Sequence, residues 1–328
     1  MKNLFLYGCY SLFLALSACT PSNLPTKSSL AYITNQGDNT VSVVDIAQAK
    51  VISIIKVGKS PVGVAVTSQL NRAFITNVES KTISVIDTNT NKVTKTIALQ
   101  GAPVGVAVAP NNKILYVADW YSDRILAIST DDFNERREVI VAKAPAGLIV
   151  SPNSKILYVA ARDTNDIAVI DTDTLSITKR INVGKHPFGL TLSANGDTLY
   201  SVNVYDNTVS IIDTISFKQT TVKVGEHPYC AVVSPNNKTL YVTNTQDDTV
   251  TLIDLGLPST SMQKIIATVD VGMTPEGISY DAASNRILIA NWGDNNISVI
   301  DAKTNKLISN IKTGDKSRAF GQFILNHQ

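Results

Sequence analysis

The sequence predicts an all-β protein, a seven-bladed β-propeller with four-stranded antiparallel blades. A strand-like segment of the type LYVTN recurs seven times at a spacing of about 42 residues. Its second residues are Tyr32, Phe74, Tyr116, Tyr158, Tyr200, Tyr241 and Leu288. Each repeat contains four short segments rich in β-branched residues, separated by turn residues, and no useful helical period follows residue 30. Four strands in a repeat of this length are typical of a propeller blade and not of a solenoid coil.

The N-terminal residues predict export. Lys2 precedes an apolar run over residues 4–18, which has the length of a signal peptide and is short for a membrane span. Small residues stand just before Cys19, which resembles the lipobox of bacterial lipoproteins. The resemblance implies cleavage before Cys19 and acylation of that residue, so that lipid chains anchor the protein to a membrane. An ordinary secretory signal is the alternative.

These features divide the chain into three parts. We expect a signal peptide over residues 1–18, a lipidated cysteine with a flexible polar tether over residues 19–29, and the propeller over residues 30–328. By resemblance to Gram-negative lipoproteins, Thr20 after the lipidated cysteine favours the outer membrane. We therefore expect a location in the bacterial cell envelope, at the outer membrane and facing the periplasm.

The composition argues against a nucleic-acid partner and against disulfide bonds. The chain has 29 basic and 27 acidic side chains and no long block of like charge, so we expect no nucleic-acid partner. Once Cys9 has left with the signal and Cys19 is lipidated, Cys230 is the single remaining thiol. A disulfide framework is then impossible in the monomer that we expect, and stability has to come from packing.

The repeat motif resembles a known family. The residues that carry the resemblance are 224–225 (VG), 234–236 (SPN), 240–244 (LYVTN) and 248–254 (DTVTLID). They are similar to the YVTN family of β-propellers, which includes surface-layer and YncE-like proteins, and the resemblance covers residues 30–325. It implies the propeller fold and leaves function open, because relatives include enzymes, cofactor-holding chains and pure binders.

Ring closure follows from the way in which the chain enters and leaves the repeat. The first repeat lacks its innermost strand, and residues 320–325 (FGQFIL) align with the innermost strand at residues 62–66. We therefore expect the C-terminal strand to pair into the first blade and close the ring, which removes an exposed sheet edge.

Two recurring residue types have architectural interpretations. Glycine recurs on the innermost strand, where strands crowd around the axis, and Cys230 takes that position in one blade as a small buried residue. The glycines are Gly63, Gly105, Gly147, Gly189 and Gly277. Aspartate recurs before turns, where we expect its carboxylate to accept backbone N–H groups. These aspartates are Asp45, Asp87, Asp171, Asp213, Asp254 and Asp301.

A binding site is expected where the repeats differ, in the loops around one mouth of the central channel. Aromatic side chains and polar groups gather in these loops, as they do in ligand and partner sites. The aromatic candidates are Trp120, Tyr121, Phe188, Tyr205, Tyr229 and Trp292, and the polar candidates are Arg162, Asp163, His186, His227 and Glu276. The alternative for Trp120 and Trp292 is that they cover the seams between blades.

The two histidines allow a second hypothesis. His186 and His227 occupy the same position in neighbouring repeats, so their rings could approach each other near the axis. We expect no cofactor and no metal, since no third ligand has a diagnostic spacing. The alternative is a divalent metal held by these two histidines and Glu276.

The sequence thus favours a noncatalytic module at the cell envelope that binds a protein, a glycan or a small molecule at the channel mouth. The alternative is an enzyme or a cofactor-holding subunit, of the lactonase, lyase or dehydrogenase-associated type implied by the family. That alternative requires titratable groups to converge in the channel, and the candidates are Arg162, Asp163, His186, His227 and Glu276. Nucleophile elbows, phosphate-binding loops before a helix and CxxC motifs are absent from the sequence.

Overall fold

The computed structural model of the chain describes Met1 and residues 28–256 and 264–325. The predicted signal peptide, the predicted lipidation site Cys19 and most of the predicted tether lie outside the described residues. Within them no helix is long and apolar enough to span a bilayer.

The described residues form seven blades, here numbered I to VII. Blade I contains β1 (Leu30–Asn35), β2 (Thr40–Asp45) and β3 (Lys50–Lys56), and blade II contains β4 (Pro61–Thr67), β5 (Arg72–Asn77), β6 (Thr82–Asp87) and β7 (Lys92–Ala98). Blade III contains β8 (Pro103–Val108), β9 (Ile114–Asp119), β10 (Arg124–Ser129) and β11 (Arg136–Ile140). Blade IV contains β12 (Pro145–Val150), β13 (Ile156–Ala161), the 3-10 helix η1 (Arg162–Thr164), β14 (Asp166–Asp171) and β15 (Ser176–Asn182).

The remaining blades continue in the same order. Blade V contains β16 (Pro187–Leu192), β17 (Thr198–Asn203), β18 (Thr208–Asp213) and β19 (Gln219–Lys223), and blade VI contains β20 (Pro228–Val233), β21 (Thr239–Asn244), β22 (Thr249–Asp254) and β23 (Lys264–Asp270). Blade VII contains β24 (Pro275–Asp281), β25 (Arg286–Asn291), β26 (Asn296–Asp301) and β27 (Lys306–Lys312), after which β28 (Phe320–Gln322) and β29 (Ile324–Leu325) end the described chain. The predicted seven-bladed propeller of four-stranded antiparallel sheets is confirmed.

Ring closure is confirmed, with a corrected register. Strand β29 pairs antiparallel with β1, while β28 pairs in parallel with β4 of the next blade. Ser317 bridges to Asn35, just as Pro61 pairs with Asn77 in blade II. Arg318 therefore takes the position of Val62 on the innermost strand, and the expected alignment of Phe320 with Val62 is wrong. The reason is that residues 320–322 leave the sheet of blade I to pair with β4.

The threonine and asparagine of the repeated segment join strands and blades. The Thr76 hydroxyl accepts the Gly63 N–H at 2.7 Å and donates to the Val104 carbonyl of the next blade at 2.8 Å. The Asn35 side-chain amide donates to the hydroxyls of Thr40 and Ser42 at 2.9 and 2.8 Å, which fastens β1 to β2. The same asparagine contacts recur at Asn77, Asn203 and Asn244. Because these atoms are buried, each unmade bond would leave a desolvated polar group.

Large side chains of the same segment fill the spaces between blades. Tyr32, Phe74, Tyr116 and Tyr158 are among the largest fully buried side chains. The Tyr32 hydroxyl donates to the Asn91 Oδ1 of blade II at 2.8 Å, so its ring and its polar end both reach the neighbouring blade. The hydrophobic clusters accordingly span adjacent blades, and packing between blades supplies the core.

Both architectural interpretations agree with the structure. A Cβ at Gly105 would lie 2.2 Å from the Ala146 carbonyl oxygen, and one at Gly63 would lie 2.3 Å from that of Val104, so neighbouring inner strands leave no room for a side chain. Asp301 accepts the N–H groups of Lys303 and Thr304 at 2.9 and 2.8 Å. The bond from Thr304 leads the contacts that lower the pKa of Asp301, as expected for a carboxylate that closes a turn.

Candidate functional site

The upper face of the propeller, defined by the loops that link the second to the third strand and each outer strand to the next inner strand, carries the predicted site. His186 and His227 precede the inner strands β16 and β20 with φ values of 52° and 48°. Their N–H groups donate to Asn165 Oδ1 and Asn207 Oδ1 at 2.9 and 3.0 Å. Other blades have the same hydrogen bond from the backbone N–H that precedes the inner strand. The position of these two residues therefore follows from the repeat, and only their imidazole side chains are particular to blades V and VI.

The two histidines flank a tyrosine. The rings of His186 and Tyr205 stack with centroids 4.0 Å apart and planes 30° apart, and the rings of Tyr205 and His227 have centroids 5.4 Å apart. Tyr205 is 57% exposed and both histidines are half-buried. The result is a row of three rings, here called the His–Tyr–His stack, which is open to solvent across blades V and VI.

This geometry does not bring together His186, His227 and Glu276, the three residues of the alternative metal site. Tyr205 contacts both imidazoles, and Glu276 is engaged in a separate ion pair described below. Across the described residues, no group of three or more His, Cys, Asp and Glu side chains is placed to hold a metal ion.

A second aromatic group lies at the seam between blades III and IV. The Arg162 guanidinium carbon lies 4.3 Å from the centre of the Trp120 ring, and Arg162 Nε pairs with Asp163 Oδ1 at 2.7 Å. Trp120 in turn contacts Phe188, with ring centroids 5.9 Å apart. Arg162 and Asp163 begin the 3-10 helix η1, which replaces the ordinary turn of the other blades. The neighbouring Tyr121 is exposed.

Apolar side chains close the upper mouth of the channel. Phe188 is buried against Tyr229 and Phe320, with ring centroids 4.1 and 4.9 Å apart. Val62, Val104, Ala146, Cys230 and Phe320 belong to the same cluster. Phe188 and Tyr229 therefore pack mainly beneath the upper face, while the rings of Tyr205 and Tyr121 are exposed on it.

Glu276 belongs to a buried ionic network that sequence reasoning missed. Glu276 Oε2 lies 2.6 Å from Arg318 Nε, and Arg318 Nη2 donates to the Tyr229 hydroxyl at 2.6 Å. Burial raises the pKa of Glu276, and the positive charge of Arg318 opposes that shift. Burial likewise raises the pKa of Tyr229. The three groups come from the inner strands of blades VI and VII and from the closing segment of blade I, so the network fastens the ring.

Trp292 lies at the seam between blades VII and I. Its Nε1 donates to Gln36 Oε1 at 3.1 Å, and the ammonium group of Lys316 lies 5.2 Å from the centre of its ring. The geometry matches the alternative that this tryptophan covers a seam between blades.

The lower half of the channel is a cavity of about 410 Å³, and none of the described residues that line it has a charged side chain. Its polar groups are backbone atoms and neutral side chains, among them Thr191, Ser279, Tyr280 and Gln322. Cys230 lines its inner end, and burial raises the pKa of this thiol, so the nucleophilic thiolate is disfavoured.

The five candidate titratable groups fall into three separate contacts. Arg162 pairs with Asp163, the two histidines flank Tyr205, and Glu276 pairs with Arg318. Two of these contacts are ion pairs within the protein, whereas the His–Tyr–His stack is a contact between ring faces. The arrangement offers aromatic and imidazole surface for contact with another molecule, and it does not aim several titratable groups at one point.

Comparison with known proteins identifies the repeat. A family model described as YncE-like beta-propeller matches residues 64–310. No curated protein matches the chain significantly.

Solved structures share the fold at low identity. Kuenenia stuttgartiensis hydrazine synthase has a TM-score of 0.74 at 20% identity, covering 88% of this chain and 99% of that chain. A protein of unknown function from Desulfotomaculum acetoxidans has a TM-score of 0.77 at 16% identity, covering 90% and 100%. A Bacteroides uniformis protein provisionally assigned as a 6-phosphogluconolactonase has a TM-score of 0.73 at 14% identity, covering 88% and 98%. At these identities the likeness concerns the fold alone.

Proposed function

The chain belongs to the YncE-like β-propeller family, and we propose that it acts as a noncatalytic binding module at the bacterial outer membrane, anchored through Cys19. Its partner, a protein, a glycan or a small molecule, contacts the upper face. The observation that carries the proposal is the His–Tyr–His stack, which presents Tyr205 more than half exposed between His186 and His227 on a rigid ring.

The chemistry of the upper face suits binding. Tyrosine offers a large rigid surface and a hydroxyl, so it contributes contact area at a small loss of side-chain freedom. The imidazoles beside Tyr205 add hydrogen-bonding groups that can donate or accept. At the seam between blades III and IV, Arg162 over Trp120 provides a fixed cation and an apolar plane.

The enzyme alternative has less support. A catalytic site needs a base, an acid or a nucleophile within reach of one reacting atom. Glu276, the candidate carboxylate beneath the channel mouth, is buried against Arg318, and Phe188 with its aromatic neighbours covers the mouth. The structurally similar proteins that carry enzyme names are less than 25% identical in sequence to this chain.

Photo-crosslinking tests the proposal. A benzoylphenylalanine would replace Tyr205 or Tyr121 on the upper face, or Ile215, an exposed apolar residue in the turn between β18 and β19 on the opposite face. After irradiation of whole cells, we expect crosslinked species from the two upper positions and none from Ile215. Equal products from all three positions, or none from Tyr205 and Tyr121, would contradict the proposal.

A second arm addresses catalysis directly. Purified protein would be incubated with 6-phosphogluconolactone, the substrate class in the name of the Bacteroides uniformis relative. We expect hydrolysis no faster than in buffer. Turnover that disappears in a folded Glu276→Gln variant would favour the enzyme alternative over the binding module.

A further inference from the structure

The rim of the propeller is formed by the outer strands, and the residue types exposed there differ from blade to blade. In five blades the outer strand has a β-bulge, and one extra residue there has no partner on the neighbouring strand. The extra residue is Thr94 in blade II, Thr178 in blade IV, Ile266 in blade VI, Ile308 in blade VII and Ile52 in blade I.

Threonine has a local role at this position. The Thr94 hydroxyl donates to the Val85 carbonyl at 3.2 Å, and the Thr178 hydroxyl donates to the Val169 carbonyl at 3.1 Å. Isoleucine cannot make this bond, and it places an aliphatic side chain in water. Ile52, Ile266 and Ile308 are 47%, 44% and 48% exposed. Local structure therefore favours threonine, and the isoleucines call for another explanation.

The isoleucines belong to consecutive blades. Blades VI, VII and I are neighbours in the ring, and their outer strands β23, β27 and β3 contact one another in that order. Further exposed aliphatic side chains extend the same surface, namely Ile54, Ile265 and Leu307. Among the described outer strands of the other four blades, Ile140 is the exposed large hydrophobic residue. We call the surface made by Ile52, Ile54, Ile265, Ile266, Leu307 and Ile308 the aliphatic rim.

Lysines border the aliphatic rim. Exposed lysines stand at both ends of β3 and of β27, and Lys264 begins β23, whereas the acidic residue on these three strands is Asp270. The other outer strands also carry basic residues, so it is the combination with exposed aliphatic side chains that distinguishes this part. Aliphatic groups bordered by lysine match the chemistry of an anionic lipid surface, where apolar groups enter the acyl boundary and ammonium groups meet headgroup phosphates.

The undescribed N-terminal residues join the propeller on this side. Residues 2–27 include the apolar run and Cys19, and the described domain begins at Ser28, whose hydroxyl donates to Asp45 Oδ1 of blade I at 2.7 Å. Asp45 ends β2, and the following turn leads directly into β3 of the aliphatic rim. A membrane anchor in residues 2–27 would thus hold blade I close to the bilayer.

We propose that the aliphatic rim lies on the lipid bilayer, so that the propeller stands edge-on and its upper face remains in the aqueous phase. The proposal rests on the membrane anchoring included in the proposed function, and it adds the surface and orientation of contact. Ile52, Ile266 and Ile308 enter the acyl boundary, and the bordering lysines contact anionic headgroups.

Depth-dependent quenching tests this orientation with the full mature chain. The chain would be reconstituted in vesicles of phosphatidylethanolamine and phosphatidylglycerol, some containing doxyl-labelled lipid. A bimane fluorophore would be attached to Ile308→Cys or Ile52→Cys, or to Thr178→Cys, which occupies the same bulge position in blade IV on the far side of the ring. Cys230 is buried and does not compete for the label in the folded protein.

We expect strong quenching at positions 308 and 52 and none at position 178. Substituting Ile266→Thr together with Ile308→Thr should reduce quenching at position 52 on the order of severalfold, without a change in thermal midpoint, since threonine restores the bulge hydrogen bond. Phosphatidylcholine vesicles or high salt should weaken the effect.

Three outcomes would overturn the proposal. They are equal quenching at all three labelled positions, failure of the full chain to associate with the vesicles, and crosslinking between two copies through position 308, which would make a second copy the occupant of the aliphatic rim. A failed orientation with intact crosslinking from Tyr205 would leave the binding function standing, so the two proposals fail separately.

Discussion

The Glu276–Arg318 pair supports a prediction about stability that can be worked out in full. Replacing Arg318 by methionine keeps an unbranched side chain but removes the partner of Glu276 and the donor to Tyr229. Breaking one side of a buried ion pair costs about 3–5 kcal/mol. The side chains of Arg318 and Glu276 are 20% and 10% exposed, so we expect a value near the lower end, about 3 kcal/mol.

Loss of this ion pair should also lower the melting temperature, by an amount that depends on pH. For a domain of this size, 1 kcal/mol corresponds to about 2 °C, so Arg318→Met should lower the thermal midpoint by about 6 °C at neutral pH. Burial raises the pKa of Glu276 and Arg318 opposes that effect, so the variant leaves a carboxyl with a pKa further above its unfolded value. The resulting penalty is absent well below the unfolded pKa of about 4.3, grows as pH rises from the unfolded to the folded pKa, and is constant at higher pH. The deficit should therefore shrink on acidification.

A double-mutant cycle provides the decisive measurement. Calorimetry would compare the wild type, Arg318→Met, Glu276→Gln and the double variant at pH values on both sides of the Glu276 transition. Removing both charges should be less damaging than the sum of the single changes, with a coupling energy of about 2 kcal/mol. Additivity within about 0.5 kcal/mol, or a deficit that does not change with pH, would refute the reasoning.

Three further predictions concern closure, polar contacts between blades and the thiol. Truncation after Ser317 removes the segment that pairs with β1 and β4 and should greatly lower the thermal midpoint; melting like that of the full chain would contradict the closure. Thr243→Val should destabilise by about 1–3 kcal/mol because the hydroxyl bridges a buried N–H of blade VI and a carbonyl of blade VII, while Thr220→Val, whose hydroxyl has no partner, should be nearly neutral in urea unfolding. Cys230 should resist iodoacetamide in the folded protein and react in urea, because it is buried with a raised pKa; rapid native labelling would argue against that burial.

The repeat makes the fold predictable from the sequence, whereas the register of the closing segment is not predictable in the same way. Seven copies at a nearly constant spacing dictate seven blades, because each blade must bury its faces against two neighbours. The closing segment lacks the proline of the other inner strands and the glycine that most of them have, so the sequence does not mark Arg318 as the seventh member of the ring that includes Val62 and Glu276. One signal was present in the sequence. Gly314 matches Gly58, and counting from there places Ser317 at the position of Pro61.

The candidate site was predictable as a surface but not as a set of contacts. Equal repeat positions placed His186 and His227 on neighbouring blades, and the structure brings both beside one aromatic ring. That ring belongs to Tyr205, which lies on a different loop, and sequence spacing contains no information about which loops fold over one another. The sequence places Glu276 on the same face as the histidines, and it contains no sign that Arg318 is the partner of this carboxylate.

Divergence between the repeats therefore has more than one physical cause. In blades VII and I, Glu276, Arg318 and Trp292 depart from the repeat to join the last blade to the first, because the closing seam lacks the covalent continuity of the other six. Closure does not need the exposed ring of Tyr205, which lies away from that seam. A divergent residue with exposed surface and no seam to close has to be explained by something outside the chain. On the upper face such residues lie in blades V and VI, and on the rim they are the isoleucines at the bulge positions where threonine would suit the fold better.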